Sequence, residues 1–449
     1  MSPHRRLRSL VADAGVRATA TTRIIALVGA PVSIYLAATR LAPRAQGYYF
    51  VAVNVIALAQ LFELGLGTIV VQFVSHEWPR LRWSAGGGLE GEPVALATVH
   101  LILRSARQWY ATAALILSVV AGAGGVLLYG SMYSGSLGTF ATAWCGFVAL
   151  TALYLLIIPL IAVVEGCGGL VSVQHMRSGQ ALALLAALWA GILSGSPLTA
   201  ACLGAAAQLA VAVTWLLTRH RVLLGTARAI PRHPTDSERG TGARVRTEQR
   251  QSARLWLALW LAPQLLTPIV LRFRGGDDAG RLGVSMAIAL APLSLALAWL
   301  HGRYPSFGAL VSQGMVAEFD TLARRAAAEA VAVFLASAGA VVGGVLLLPL
   351  VLPAVAARVL PVWSVVALLG GALASLLLQA MAGWLRAFRD ETLAGPIVGG
   401  AAATVIVSGM AAVVGGVQLT TTAFAAASLG IAVPLAAVHY VRVRRRRLS

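Results

Sequence analysis

Long uninterrupted apolar runs, separated by mostly short polar stretches, recur from Ile24 to near the end of the chain. A helix that crosses a bilayer needs about 20 mostly apolar residues. Twelve runs come within a few residues of that length: near 24–42, 48–74, 109–130, 138–163, 177–194 and 198–217, then 255–274, 281–301, 327–352, 361–384, 393–414 and 419–440. The runs are continuous rather than alternating, which excludes an outer-membrane β-barrel, whose strands alternate lipid-facing and lumen-facing side chains. The expectation is an all-α polytopic membrane protein of about twelve transmembrane helices. The polar, basic stretch before Ile24 leads into a run long enough to span, so that run is read as the first helix rather than a signal peptide. Abundant Gly and Ala suit close helix packing in lipid.

The longest polar stretch, 218–254, divides the chain into a six-helix N-terminal lobe (1–217) and a six-helix C-terminal lobe (255–449). The lobes share faint internal similarity. Ala30-Pro31-Val32 leads through a polar hairpin to Gly47 and VAVNVIAL, and Thr267-Pro268-Ile269 leads through RGGDDAG to Gly280 and VSMAIAL. The second helix of each lobe runs out into an aromatic–proline pair, Trp78-Pro79 and Tyr304-Pro305. Transporters are commonly built from such repeats, although composition alone can produce a match of this kind. Prolines 31, 159, 263, 268, 292 and 396 are expected to kink their helices.

Composition agrees with the pattern: 58% of the 449 residues are hydrophobic and 11% charged, with a mean hydropathy of +0.80. A net charge of +19 in a soluble chain would suggest nucleic acid. Here the 35 basic residues, all Arg, sit beside apolar runs and read as a membrane-orientation signal, with no nucleic-acid partner. With the N-terminus cytoplasmic, only Arg40, Arg44, Arg272, Arg274, Arg281 and Arg358 fall outside, and both termini are cytoplasmic. The absence of lysine excludes a phosphate-loop or Schiff-base lysine. Three cysteines, Cys145, Cys167 and Cys202, offer neither a disulfide framework nor a metal cluster. No metal or cofactor is expected.

Residues 38–77, with Arg40-Leu41 before a Pro-containing hairpin, Gly47-Tyr48 opening the second helix and the turn Glu63-Leu64-Gly65, resemble the opening of Wzx-type polysaccharide flippases. These belong to the multidrug, oligosaccharidyl-lipid and polysaccharide exporter superfamily. RYPSFGALVSQGMVAEFDTLARRAA (303–327), WLRAFRDETLAG (384–395) and VVEGCGGLVSVQHMRSGQAL (163–182) resemble other joints of the same family. The loop at 76–108 is longer than is usual in it, and Glu63 stands where Asp is more common. The resemblance implies two lobes around a central cavity that opens alternately to each side. It also implies transport of undecaprenyl-diphosphate-linked oligosaccharide from the cytoplasmic to the periplasmic leaflet of the bacterial inner membrane, for O-antigen, capsule or exopolysaccharide synthesis. A polysaccharide polymerase and glycosyltransferases would be its partners, beside the anionic membrane lipids.

Glu63 stands near the bilayer centre, where a charge costs about 2.5–3.5 kcal/mol on insertion scales; it either couples transport to protonation or is a structural carboxyl. Arg23 begins the first helix, where it could grip a diphosphate bidentately or simply anchor the helix. Arg272 and Arg274, with Arg40, break the orientation rule. They are candidates for the diphosphate or an acidic sugar, or else snorkel to headgroups or pair with Asp277 and Asp278. Gln60, three residues from Glu63 on the same face, could bond sugar hydroxyls, as could Asn54, Gln264 and Gln379. All four amides could equally join helices. The basic stretch 218–254 and the tail VRVRRRRLS suit anionic headgroups, and 89–108 suits an amphipathic surface helix. An ion-coupled drug or metabolite exporter of the same fold is the alternative function. No D-x-D pair, G-x-S-x-G elbow or second zinc-site His is present, so an enzyme is not expected.

Overall fold

The structure is a computed structural model. It describes residues 21–448 apart from 23, 26–27, 85–86, 134, 222, 224–253, 255–257, 260–261, 389 and 391; the side chains of 58–66, 68–69, 305, 309 and 448 are also outside the description. The chain is an all-α, multi-pass membrane protein, and seven helical stretches among the described residues are long and apolar enough to cross a membrane. Two of them, Leu137–Leu193 with 57 residues and Ala394–Arg447 with 54, are too long for one crossing. At 1.5 Å per residue they would run about 80 Å, against a hydrocarbon core of about 30 Å. Each reverses at glycine. Gly168 (φ +77°) breaks the first, and Gly415–Gly416, with Gly416 at φ +80°, breaks the second. Pro159 and Pro292, two of the prolines expected to kink their helices, lie inside α-helices that do not break there.

Counting the two halves of each reversal separately gives α1 (28–40), α2 (Pro43–Glu77), α3 (Pro93–Met132), α4 (Leu137–Val164), α5 (Leu170–Leu193) and α6 (Pro197–Arg219). They are followed by α7 (262–274), α8 (Gly276–His301), α9 (Val316–Val351), α10 (Val362–Arg386), α11 (394–414) and α12 (417–448). Three helices start seven or more residues earlier than hydropathy predicts. Residues 93–108, expected as a surface helix, are the first turns of α3. α5 starts at 170 rather than 177, and α9 at 316 rather than 327. Those turns carry Arg104, Arg107, His175, Arg177, Glu318, Asp320, Arg324 and Arg325. Such charges lower the hydropathy without interrupting backbone hydrogen bonding, and the real start signal of α3 is Pro93 in its first turn.

By packing, the chain divides into two units: Met1–Leu41 with Val55–Ala253, and Ala42–Asn54 with Arg254–Ser449. In the first unit α1 runs parallel to α5. Thr22 meets Ser178, Gly29 lies on Leu185 and Ser33 accepts from Trp189 Nε1, all at one constant register. α5 and α6 form an antiparallel hairpin about Gly195, closed by Gly191 on Ala200 and by Gln180 Nε2 donating to the Gln208 carbonyl. α4 packs on α3, where Trp144 Nε1 donates to the Ala121 carbonyl in a widened helical turn, Ser118–Ala123.

The second unit repeats the scheme. α7 lies along α11, and α11 and α12 form an antiparallel hairpin about Gly416, with Gly400 against Ala432 and Thr392 bonded to His439. This unit also contains the opening of α2, packed parallel to the opening of α8. Gly47 lies on Gly276 and Ala279, Gly280 lies on Pro43 and Gln46, and Gly283 faces Phe50. In the sequence repeat Gly47 corresponds to Gly280, which makes Pro43 equivalent to Gly276 and Gln46 to Ala279. The contacts are therefore reciprocal, as across a two-fold axis. A Cβ at Gly47 or Gly280 would enter the facing backbone, so glycine sets how closely these helices approach.

Candidate functional site

Three predicted residues, Arg40, Arg272 and Arg274, lie where the chain leaves the helices at the end predicted to face outward. Arg40 is exposed in the last turn of α1. Arg272, also exposed, has its guanidinium 5.8 Å from the Phe273 ring centroid. Arg274 is committed elsewhere: its Nε donates to the Ala412 carbonyl at 2.7 Å, and Nη2 lies 3.5 Å from the Val413 carbonyl. These carbonyls end α11 just before its glycine break, so Arg274 caps a helix C-terminus. Neither arginine forms an ion pair with Asp277 or Asp278 among the described residues. Those aspartates occupy the first turn of α8, where carboxylates oppose the helix dipole. Arg23 and the side chains of Gln60 and Glu63 lie outside the described residues, as does most of the basic linker. Of the other amides, Asn54 Nδ2 donates to the Gln264 carbonyl at 3.0 Å, which joins α2 to α7.

The opposite end of each unit carries denser chemistry. In the first unit, Arg177 Nη2 bonds Glu165 at 3.1 Å across the α4–α5 break. The 76–108 loop forms a small antiparallel hairpin, β1 (Leu81–Trp83) and β2 (Leu89–Gly91). Trp83 fastens it: its Nε1 donates to the Cys167 carbonyl at 3.0 Å, and its ring lies 5.0 Å from that of His220, which packs on Trp215 at 4.8 Å. Burial, then the neighbouring Arg219 charge, holds the His220 pKa below its ordinary 6.5. Beside this aromatic stack a cavity of about 830 Å³ opens between α5 and α6, with Ser172, His175, Thr214, Thr218 and Arg219 on its wall.

In the second unit the same end is locked. Asp320, 4% exposed, receives Arg444 Nε at 2.7 Å and Nη2 at 2.6 Å, Trp384 Nε1 at 3.1 Å and Arg324 Nε at 3.1 Å. Bidentate, charge-assisted bonds of this length are among the strong ones. Phe319, Trp384 and Phe388 pack around it, and Arg447 reaches Asp390 at 3.6 Å. Burial raises the Asp390 pKa, but bonds from Thr392 and the Arg447 charge outweigh it and leave the carboxyl below its ordinary 3.8. Patches 303–327 and 384–395 thus meet around one carboxylate. The sequence reading missed Asp320, and it treated the C-terminal arginines as lipid contacts, whereas Arg444 and Arg447 bond within the unit. An aspartate between Phe319 and Thr321 in the opening turns of α9, with an arginine-rich tail elsewhere in the chain, was the available signal.

No family model matches the chain, and no curated protein sequence matches it. Solved structures do. An inward-facing multidrug resistance MATE family transporter of the MOP superfamily aligns with TM-score 0.64 and 12% identity over 92% of this chain and 94% of its own. The lipid II flippase MurJ in an inward closed conformation aligns with TM-score 0.59 and 9% identity, over 95% of this chain and 90% of its own. A MATE transporter of Vibrio cholerae aligns with TM-score 0.59 and 13% identity, over 98% of both chains. The fold of this chain is the one these transporters and this flippase share.

Proposed function

We propose that the chain is a flippase of the multidrug, oligosaccharidyl-lipid and polysaccharide exporter superfamily in the bacterial cytoplasmic membrane, both termini cytoplasmic. Its cargo is undecaprenyl-diphosphate-linked oligosaccharide, moved to the periplasmic leaflet for surface polysaccharide synthesis. The observation that carries this reading is the fold, shared with a lipid flippase over nearly the whole chain, in a sequence whose joints resemble Wzx-type flippases. An amphiphilic diphosphate needs cations at the leaflet where it is delivered, and Arg40 and Arg272 are exposed at that predicted end. Glu63 is the coupling carboxylate in this reading, and Gln60 bonds sugar hydroxyls.

The test is deletion of the gene in its host. Complete lipid-linked units should accumulate on the cytoplasmic leaflet while surface polymer is lost. Glu63→Gln and Arg272→Ala should each impair export at matched protein levels; wild-type export in both removes those roles. A second reading, an ion-coupled drug or metabolite exporter, is favoured by the MATE transporters among the structural neighbours. Normal polymer with changed efflux of drugs or metabolites after deletion would favour it.

A further inference from the structure

The described lining of the cavity between α5 and α6 lies wholly inside the first unit, and of the candidate cargo residues whose side chains are described, Arg40, Arg272 and Arg274, none lines it. Its wall changes character along its length. At the end of α6 stand Arg219 and Thr218, with Ser172 and His175 opposite on α5; nine residues deeper along α6, about 13 Å at helical rise, the lining is Met176, Gly179, Ala210 and Val211. The polar end is rich in donors. Trp215 Nε1 donates to Ser172 Oγ, which leaves the Ser172 hydroxyl hydrogen free to point elsewhere. Thr218 directs its own hydroxyl to the Thr214 and Trp215 carbonyls. Arg219 is exposed, and among the described residues it forms no ion pair and no carboxylate lines the cavity. Glu165, at the α4–α5 break, is bound to Arg177. The deep end is roomy because Gly179 has no side chain; a Cβ there would only touch Val211, at 3.7 Å.

A cation and hydrogen-bond donors at one end of a cavity, with a smooth apolar floor at the other, match an amphiphile whose head is an anion with several oxygens. We propose that this cavity binds a phosphate-headed lipid. The phosphate bonds Arg219, His175 and Ser172, and the hydrocarbon chain lies along Gly179 and Val211. The site contains none of Arg40, Arg272 and Arg274 and does not depend on what the protein transports.

Binding to the purified full-length protein is measured by native mass spectrometry and by thermal shift, with dioctanoyl phosphatidate as the probe. Dioctanoylglycerol lacks the phosphate, and inorganic pyrophosphate lacks the chain. Phosphatidate should bind at least about tenfold more tightly than either, the scale expected for charge-assisted hydrogen bonds. Arg219→Gln and His175→Gln should each weaken it several-fold. Gly179→Leu should weaken it by filling the floor, and Arg445→Gln, in the exposed tail, should leave it unchanged. Equal binding of dioctanoylglycerol, or undiminished binding to Arg219→Gln, overturns the proposal. Pyrophosphate binding as tight as phosphatidate, insensitive to Gly179→Leu, overturns the lipid assignment. Because Arg219→Gln lies on an exposed last turn, its result stands even if Gly179→Leu fails to fold.

Discussion

The two units share a helix scheme but close their arginine-rich ends differently. The second is tied by one buried carboxylate, Asp320, that holds two arginines and a tryptophan from three helices. The first has a partly exposed ion pair, Glu165–Arg177, an aromatic stack around His220 and a cavity beside it. A charged hub leaves no room for a ligand because each of its oxygens is already taken. Ring packing of the looser kind tolerates a neighbouring void. One scheme can therefore hold a locked end in one unit and an open one in the other.

That contrast can be broken most forcefully at Asp320. Asp320→Ala leaves the partly exposed Arg444 without its carboxylate and should cost about 3 kcal/mol, the lower end of the range for a broken buried pair, read as a large fall in the detergent melting temperature; pairing it with Arg444→Met should recover part of the loss. A small effect would show that the second end is not held by the hub. Next in size is Trp83→Ala, which removes one hydrogen bond and two ring contacts, about 2 kcal/mol together. It should also make residues 81–91 more readily cleaved by protease, with the second unit unaffected. Glu165→Gln should cost about 1 kcal/mol or less, as for other partly exposed pairs; a loss as large as that of Asp320→Ala would erase the distinction between the two ends.

Acidification gives the smallest and most selective effect. His220 stays neutral in the fold at pH values where the unfolded chain binds a proton, so the first end loses stability as pH falls below about 6.5. Asp390 has the opposite charge type and a depressed pKa; its contribution is full above about 3.8 and fades only as pH falls through its lower folded value. Between about pH 7 and 5 the first end alone should loosen. Melting temperatures of the wild type and His220→Phe across that range check this: the wild type should fall more steeply, and parallel slopes would refute it.

Hydropathy made most of the helices legible, because membrane burial demands long apolar runs whatever the tertiary contacts. It could not reach the polar turns that open α3, α5 and α9, where hydrogen bonding continues past the apolar segment. The two glycine reversals were visible only as gaps between runs. The Asp320–Arg444 pair joins residues 124 apart in sequence, beyond any local pattern. Arg274 shows the limit of reading charges one by one. Its predicted departure from the orientation rule singled it out, but the carbonyls it caps lie more than a hundred residues away on α11, so that position was no guide to its partner.

The reciprocal crossing of α2 and α8 is the kind of contact two identical subunits would make. In such a dimer the residue on the axis meets its own copy, and the pair must be large against large or small against small. Here the axial pair is Phe50 against Gly283, a ring set into a gap that no symmetric pair could provide. Joining both copies in one polypeptide releases that position from self-complementarity. Each side of the axis can then be altered independently while the helix crossing stays intact.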